Sequence, residues 1–194
     1  IRLHISKADF WKSNGRVSQG PLGGIAPMAI AELLLPQLAY AEYKAEQNLD
    51  EAYISLSLKE GNLSANLKVT VCAVENTVLV ELDRTHPAVS VSFSIAPVEG
   101  ADAVTDCGEF KDVRYALRGF DTDECRFPTF GICALRQISR VRTPGRERIV
   151  WSISVCTNHD TAAYKHQAIE RARSINEGTC RKLWTEHAQW WTDF

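Results

Sequence analysis

A period of two in apolar residues is the feature that most restricts how this chain can fold. Apolar residues occupy every second position in four consecutive segments, which are centred on residues 54–58, 67–71, 78–82 and 89–95. Side chains of a β-strand point alternately to its two faces, so each segment predicts a half-buried strand. Turn-forming residues separate the segments, as in Glu60-Gly61-Asn62. The sequence therefore predicts a meander of four antiparallel strands over residues 53–96.

Later segments continue the same alternation, and the chain then changes to a composition typical of helices. Alternating runs recur over residues 113–117, 131–141 and 149–155, and Thr143-Pro-Gly-Arg146 predicts a hairpin turn between the last two. From Thr161 to Asn176 the chain is rich in helix formers, and Gly178 is expected to interrupt this helix before a second one. Strands followed by helices, without alternation of the two, favour a mostly β fold: an antiparallel β-sandwich with two C-terminal helices.

Composition excludes several classes of function. With 45 % hydrophobic residues, 24 % charged residues and a net charge of −2, the chain has no basic stripe for nucleic acid and no segment apolar enough to span a membrane. The six cysteines are scattered, without a C-x-x-C motif or zinc-ligand spacing. We therefore expect no metal, no cofactor, and thiols that are mostly buried and free.

Motifs for catalysis are sparse, whereas two loops carry residues suited to a sugar. No G-x-S-x-G motif occurs, and Asp121, Asp123 and Glu124 form a cluster of the kind that is usually a solvated loop. Asp9 and Trp11 share a polar loop, where an aromatic face beside a carboxylate could hold a sugar ring. The alternative is a loop that packs on its own sandwich.

A third candidate for the rim of a substrate cleft lies at the end of the last strand. His159 belongs to the sequence Asn158-His159-Asp160, directly before the first predicted helix. Capping of that helix by Asp160 or Thr161 is the competing explanation for these polar residues. Asp9, Trp11 and His159 are therefore the candidate substrate-lip residues, and no catalytic residue is predicted.

The last predicted helix is unusually aromatic. His187, Trp190, Trp191 and Phe194 recur at helical spacing, and Trp184 lies one turn before them. So large an aromatic surface at the end of a chain predicts burial, either on the chain's own sandwich or against another domain. These five residues are the predicted domain interface.

The two ends of the sequence also indicate a further domain. The chain begins directly in strand alternation, and its sole methionine is Met28. We therefore expect it to be a piece of a longer protein, with a sandwich domain over residues 1–157 and linker helices over residues 158–194.

The order of segments resembles the N-terminal β-supersandwich of glycoside hydrolase family 95, the alpha-L-fucosidases and their relatives, and is also similar to that of the family 65 phosphorylases. The resemblance rests on Leu3-His-Ile-Ser-Lys-Ala-Asp9-Phe-Trp11, Asn48-Leu-Asp50-Glu-Ala52, Arg118-Gly-Phe120 through Arg126-Phe-Pro128, Thr157-Asn-His-Asp160, and His187-x-x-Trp190-Trp191-x-x-Phe194. It implies a galactose-mutarotase-like supersandwich with C-terminal linker helices.

The same resemblance implies that catalysis belongs to a different domain of the enzyme. In such enzymes the catalytic acid belongs to an (α/α)6 barrel that would follow Phe194, so this chain would brace that barrel and lend a loop to the cleft that binds an oligosaccharide or other glycan. The parent protein is expected to be secreted or periplasmic. A stand-alone carbohydrate-binding or adhesion sandwich is the alternative function, and the aromatic C-terminal helix favours the enzyme domain.

Overall fold

A computed structural model describes residues 1–12, 24–86, 89–100, 103–121 and 128–193. The chain is mostly β, with antiparallel sheets and two C-terminal helices, which confirms the predicted fold class and is consistent with a β-sandwich. Residues 122–127, which hold part of the acidic cluster and of the Arg118 to Pro128 resemblance, lie outside the described residues, as does Phe194.

The chain divides into two compact units, each built from three separate stretches. Unit 1 comprises Ile1–Leu33, Phe93–Leu135 and Ser154–Ala172, and unit 2 comprises Leu34–Ser92, Arg136–Ile153 and Arg173–Phe194. The two longest strands, β12 (Thr129–Thr143) and β13 (Arg146–Thr157), contribute residues to both units.

Unit 1 contains two sheets, a short ribbon and the first helix. Its elements are β1 (Arg2–Ile5), β2 (Trp11–Lys12), β3 (Gly24–Ile25), β4 (Ala29–Leu34), β9 (Ser92–Pro97), β10 (Val104–Phe110), β11 (Val113–Phe120), the adjoining parts of β12 and β13, and α1 (Tyr164–Ser174). One sheet has the order β1-β4-β9, the other follows β10-β11-β12-β13, and β2 pairs with β3.

Side chains from both faces of β11 show how unit 1 is layered. On one face, Phe120 lies 5.6 Å from the ring of Phe10, and the Arg114 guanidinium donates to the carbonyl of Phe93 in the three-stranded sheet. On the other face, Val113 packs with Ala168 and its neighbours on α1. Because adjacent residues of a strand point to opposite faces, this sheet is covered by the small sheet on one side and by α1 on the other.

Unit 2 is one antiparallel sheet with a helix on one face. Its elements are a 3₁₀ helix (Pro36–Leu38), β5 (Glu42–Asn48), β6 (Tyr53–Glu60), β7 (Leu63–Val71), β8 (Thr77–Arg84), the remaining parts of β12 and β13, and α2 (Glu177–Asp193). The strand order is β12-β13-β8-β7-β6-β5. Leu79 of β8 and Val150 of β13 pack with Leu183 of α2.

The predicted four-strand meander is correct for three strands and wrong for the fourth. Strands β6, β7 and β8 pair in sequence, with Ile54 opposite Val69 and Val69 opposite Val80. The outer side of β8 is occupied by β13, so β9 cannot add there and pairs with β4 instead. Strand β5, which pairs with β6, was not predicted because its exposed, mostly polar residues show no apolar alternation.

The helix boundaries correct one further expectation. Gly178 does not interrupt a helix but lies in the first turn of α2, and the break falls at Ile175 and Asn176. The Asn176 side chain accepts a hydrogen bond from the Thr179 N–H at 3.0 Å, which is the geometry of an N-cap. The predicted hairpin turn is confirmed, with Gly145 at φ 75° between β12 and β13.

Candidate functional site

Asp9, one of the predicted lip residues, belongs to a polar cluster in unit 1. The Lys7 ammonium contacts Asp9 Oδ2 at 2.5 Å and Asp160 Oδ1 at 2.8 Å. The Thr157 hydroxyl donates to Asp9 Oδ2 at 2.9 Å, and the Thr157 N–H donates to Asp160 Oδ2 at 2.9 Å. The cluster therefore ties the loop after β1 to the turn that follows β13.

His159 lies on the same turn. Its Nε2 is 3.1 Å from the Thr129 hydroxyl at the start of β12. Its neighbour Asn158 accepts from the Phe130 N–H at 2.8 Å and donates to the Pro128 carbonyl at 2.9 Å. The fold thus brings Asp9 and His159, which are far apart in sequence, to one corner of unit 1.

Trp11, the third predicted lip residue, is described only by its backbone. It forms the start of β2 and pairs with Ile25 of β3. Its side chain lies outside the described part of the structure. The use of these residues at a substrate cleft stays a prediction.

The charged groups at this corner pair with one another, and the pairing shifts their pKa values. Burial would raise the pKa of Asp160, but hydrogen bonds from Lys7 and the Thr157 N–H outweigh it and lower the pKa below its ordinary value. Burial would likewise lower the pKa of Lys7, and its two carboxylate partners raise it instead. A general acid at neutral pH needs a raised carboxyl pKa, so Asp160 is not suited to that role.

One oxygen of the cluster remains unused. Asp9 Oδ1 is buried and has no hydrogen-bond partner in the described part of the chain. A buried carboxylate oxygen without a donor is unusual, because its desolvation is not compensated. The other oxygen, Oδ2, is shared by Lys7 and Thr157, so the Asp9 carboxylate is held by groups of this corner.

The inner face of α2 is fixed to the sheet of unit 2. His187 is 1 % exposed; its Nδ1 accepts from the Ala73 N–H at 3.1 Å, and its Nε2 lies 3.1 Å from the carbonyls of both Glu51 and Ala52. Because Nδ1 accepts a hydrogen bond, Nε2 is the ring nitrogen that donates to these carbonyls. His187, grouped by sequence with the interface residues, thus makes these contacts inside its own unit.

The C-terminal end of α2 carries the exposed aromatic surface, on the same side of the helix as His187, whose ring lies 6.3 Å from that of Trp191. Trp190 and Trp191 meet edge to face with ring centroids 5.0 Å apart, and they are 42 % and 40 % exposed. Trp184 is half-buried, and the Lys68 ammonium lies 4.3 Å above its ring and 3.8 Å above that of Tyr53. Trp184 is therefore held by its own unit, whereas the other two tryptophans leave apolar surface in water.

A buried charge cluster on the other face of the unit 2 sheet had no sequence signal. Glu147 and Arg84 are each 2 % exposed and paired, and Arg140 and Arg142 donate to the same carboxylate. Burial would raise the pKa of Glu147, but the hydrogen bonds from Arg140, Arg142 and Arg84 lower it to about 2. Arg84 reaches Glu147 from 63 residues away, a contact that only the fold creates.

Metal clusters and membrane-spanning helices are absent from the described residues. The described residues contain no group of three or more His, Cys, Asp or Glu side chains placed to hold a metal ion. None of the described helices is long and apolar enough to cross a membrane. Five cysteines are free; Cys125 lies outside the described residues.

Comparison with known proteins gives a likeness of fold. No protein-family model matches the chain, and no curated protein matches it. A solved structure described as "Putative kojibiose phosphorylase from human microbiome" superposes with a TM-score of 0.56 at 4 % identity, covering 89 % of this chain and 28 % of that chain. The chain thus spans less than a third of that protein's length, and the comparisons do not single out family 95. This chain therefore shares its fold with part of that structure.

Proposed function

We propose that this chain is a non-catalytic β-sandwich domain of an enzyme that cleaves glycosidic bonds. The observation that carries the proposal is the fold likeness, which covers 89 % of this chain but only 28 % of the phosphorylase chain. A match of that proportion is expected when one domain of a larger enzyme is compared with the whole. Because the similar structure is a phosphorylase, phosphorolysis is as compatible with the proposal as hydrolysis, and fucose is not favoured as the substrate.

The polar corner of unit 1 supports a non-catalytic role. Glycoside cleavage by hydrolysis requires a carboxylic acid and a second carboxylate or activated water across the scissile bond. Asp9 and Asp160 instead share one lysine, and the pKa of Asp160 is held below its ordinary value. We propose that Asp9 and His159, together with Trp11, contribute to the rim of a cleft whose catalytic groups belong to another domain.

The second part of the proposal concerns α2. Its inner residues, such as Leu183 and His187, fix it to unit 2, while Trp190 and Trp191 remain about two-fifths exposed. Exposed tryptophans on a helix that is otherwise firmly held are suited to pack against a neighbouring domain. We propose that this C-terminal end of α2 braces the catalytic domain, for which the resemblance suggests an (α/α)6 barrel.

The activity of the chain and of its proposed parent enzyme tests the function. The purified chain should not cleave aryl glycosides or disaccharides, with or without inorganic phosphate, whereas the parent enzyme should. Asp9→Asn in the parent should raise KM by about tenfold at similar kcat, since it replaces one acceptor oxygen at the rim by an amide donor and changes no catalytic group. Asp50→Asn, an exposed turn substitution in unit 2, is the control and should change neither constant.

Two outcomes would contradict the proposal. Turnover by the isolated chain that a single carboxylate substitution abolishes would make the domain catalytic. A parent protein without any glycoside-cleaving activity, combined with tight glycan binding by the chain alone, would instead support a stand-alone carbohydrate-binding module.

A further inference from the structure

Strand β5 forms one edge of the unit 2 sheet. Its inner side pairs with β6 from Glu42 to Asn48, and its outer side has no strand partner among the described residues. The residues from Glu42 to Gln47 are all exposed. An uncovered edge presents backbone N–H and C=O groups that can pair with a further strand, so the side chains of β5 decide which strand can approach.

The charges of β5 are complementary to a second copy of the same strand. Lys44 and Glu46 point to one face, on either side of Ala45, and their charged groups lie 2.7 Å apart in an exposed ion pair. If two β5 strands pair antiparallel with Ala45 opposite Ala45, Lys44 of each copy faces Glu46 of the other. Glu42 then faces the uncharged amide of Asn48.

The same charges disfavour the neighbouring registers of the strand pair. Shifting the second strand by two residues in one direction places Lys44 opposite Lys44 and Glu42 opposite Glu46. Shifting it by two residues in the other direction places Glu46 opposite Glu46. Like charges directly opposite each other destabilise a strand pair. The charge pattern therefore favours one register and disfavours the two nearest registers that keep the same faces together.

Apolar surface on the other face of the sheet supports the same pairing. Tyr43 and Ile54 are 75 % and 53 % exposed. Gln47 lies opposite Ile54 on β6, so pairing about Ala45 would place Tyr43 of one copy beside Gln47 and in the same row as Ile54 of the other. The tyrosine ring could then cover apolar surface that the single chain leaves in water.

We propose that the chain forms a two-fold symmetric dimer in which two β5 strands pair antiparallel about Ala45. The unit 2 sheet of one copy and that of the other become one continuous sheet. Two symmetry-related ion pairs, each between Lys44 of one copy and Glu46 of the other, fix its register. Charged residues on edge strands usually prevent such pairing. Here their order makes them complementary in one register. The proposal does not depend on the proposed function, because it concerns only the edge of unit 2.

Sedimentation equilibrium at low salt, over a range of concentrations, tests the dimer. The unmodified chain should dimerise, and Lys44→Glu should raise the dimer Kd by about tenfold or more, because both ion pairs become repulsive. The exchange Lys44→Glu with Glu46→Lys should restore the Kd to near the original value. Lys165→Glu makes the same charge change at an exposed position on α1 and should leave the Kd unchanged.

Each contrary result overturns the proposal. A chain that stays monomeric at all concentrations has no such interface. A dimer or larger assembly that Lys44→Glu does not weaken uses another surface. A dimer that Lys44→Glu weakens but the exchange variant does not restore lacks the pairing of Lys44 with Glu46.

Discussion

The side chain with the most unusual environment is Glu147, whose single carboxylate accepts hydrogen bonds from three arginines. Two of the three positive charges at this point are not balanced by Glu147 itself. Removal of the carboxylate would leave Arg84, which is 2 % exposed, without that counter-charge. Breaking one partner of a buried ion pair costs about 3–5 kcal/mol.

Glu147 should also make stability depend on pH. Its folded-state pKa of about 2 lies below the ordinary value of 4.5, so its contribution is present above pH 4.5 and is lost as the pH falls towards 2. A shift of this size corresponds to about 3 kcal/mol. We expect Glu147→Gln to lower the free energy of unfolding by about 3–5 kcal/mol at neutral pH and to flatten its acid dependence between about pH 4.5 and 2.

Urea denaturation over this pH range measures both effects. Glu109→Gln is the matched control, because it breaks an exposed ion pair in which Glu109 Oε2 lies 3.7 Å from Arg114 Nε. It should lower the free energy of unfolding by less than about 1 kcal/mol. Equal losses for the two variants, or an unchanged acid dependence in Glu147→Gln, would contradict a stabilising role of the buried cluster.

Among the elements, local patterns predicted the strands in which apolar residues alternate and missed a strand in which they do not. Strands β6, β7 and β8 carry apolar residues at alternate positions, whereas β5 is mostly polar and its residues are almost all exposed. The place of β9 beside β4 could not be predicted, because competition from β13 for the edge of β8 is a property of the whole sheet. Asp9 and His159 could be selected by type, but the contact between Asp9 and Thr157 spans 148 residues.

His187, which the sequence pattern grouped with the interface residues, helps to hold helix α2 on the sheet of unit 2. His187 connects the helix to two turns, through the Ala73 N–H and the carbonyls of Glu51 and Ala52. A leucine of similar volume would keep the packing but remove these hydrogen bonds, at about 0.5–1.5 kcal/mol for each one that water replaces and about 1–3 kcal/mol for each group left buried without a partner. We expect His187→Leu to lower the free energy of unfolding by about 2–4 kcal/mol.

The control for this prediction is His166→Leu, an exposed position on α1, which should change stability by no more than about 0.5 kcal/mol. Chemical denaturation followed by tryptophan fluorescence measures both. If His187→Leu is as stable as the control, the hydrogen bonds of His187 do not anchor α2.

At the scale of the whole molecule, the fold class followed from strand alternation and from the order of segments, and the likeness to a phosphorylase structure agrees with it at the level of fold. The sandwich boundary at residue 157 and the linker-helix role of residues 158–194 stay predictions. The central claim is that the C-terminal end of α2 packs against a catalytic domain. It concerns Trp190 and Trp191, whose exposed two-fifths would be buried there.

That burial has a measurable size. If each tryptophan can bury about 150–250 Å², the exposed parts together amount to about 120–200 Å² and about 3–5 kcal/mol. The decisive measurement is the loss in unfolding free energy caused by Trp190→Ala with Trp191→Ala, compared between the isolated chain and the proposed parent enzyme. Trp151→Ala, in the core of unit 2, is the control and should cost the same in both.

We predict that the double substitution costs about 3–5 kcal/mol more in the parent enzyme than in the isolated chain, because only there is the remaining tryptophan surface removed from water. Equal losses in the two proteins, with the Trp151 control also equal, would show that α2 braces no second domain.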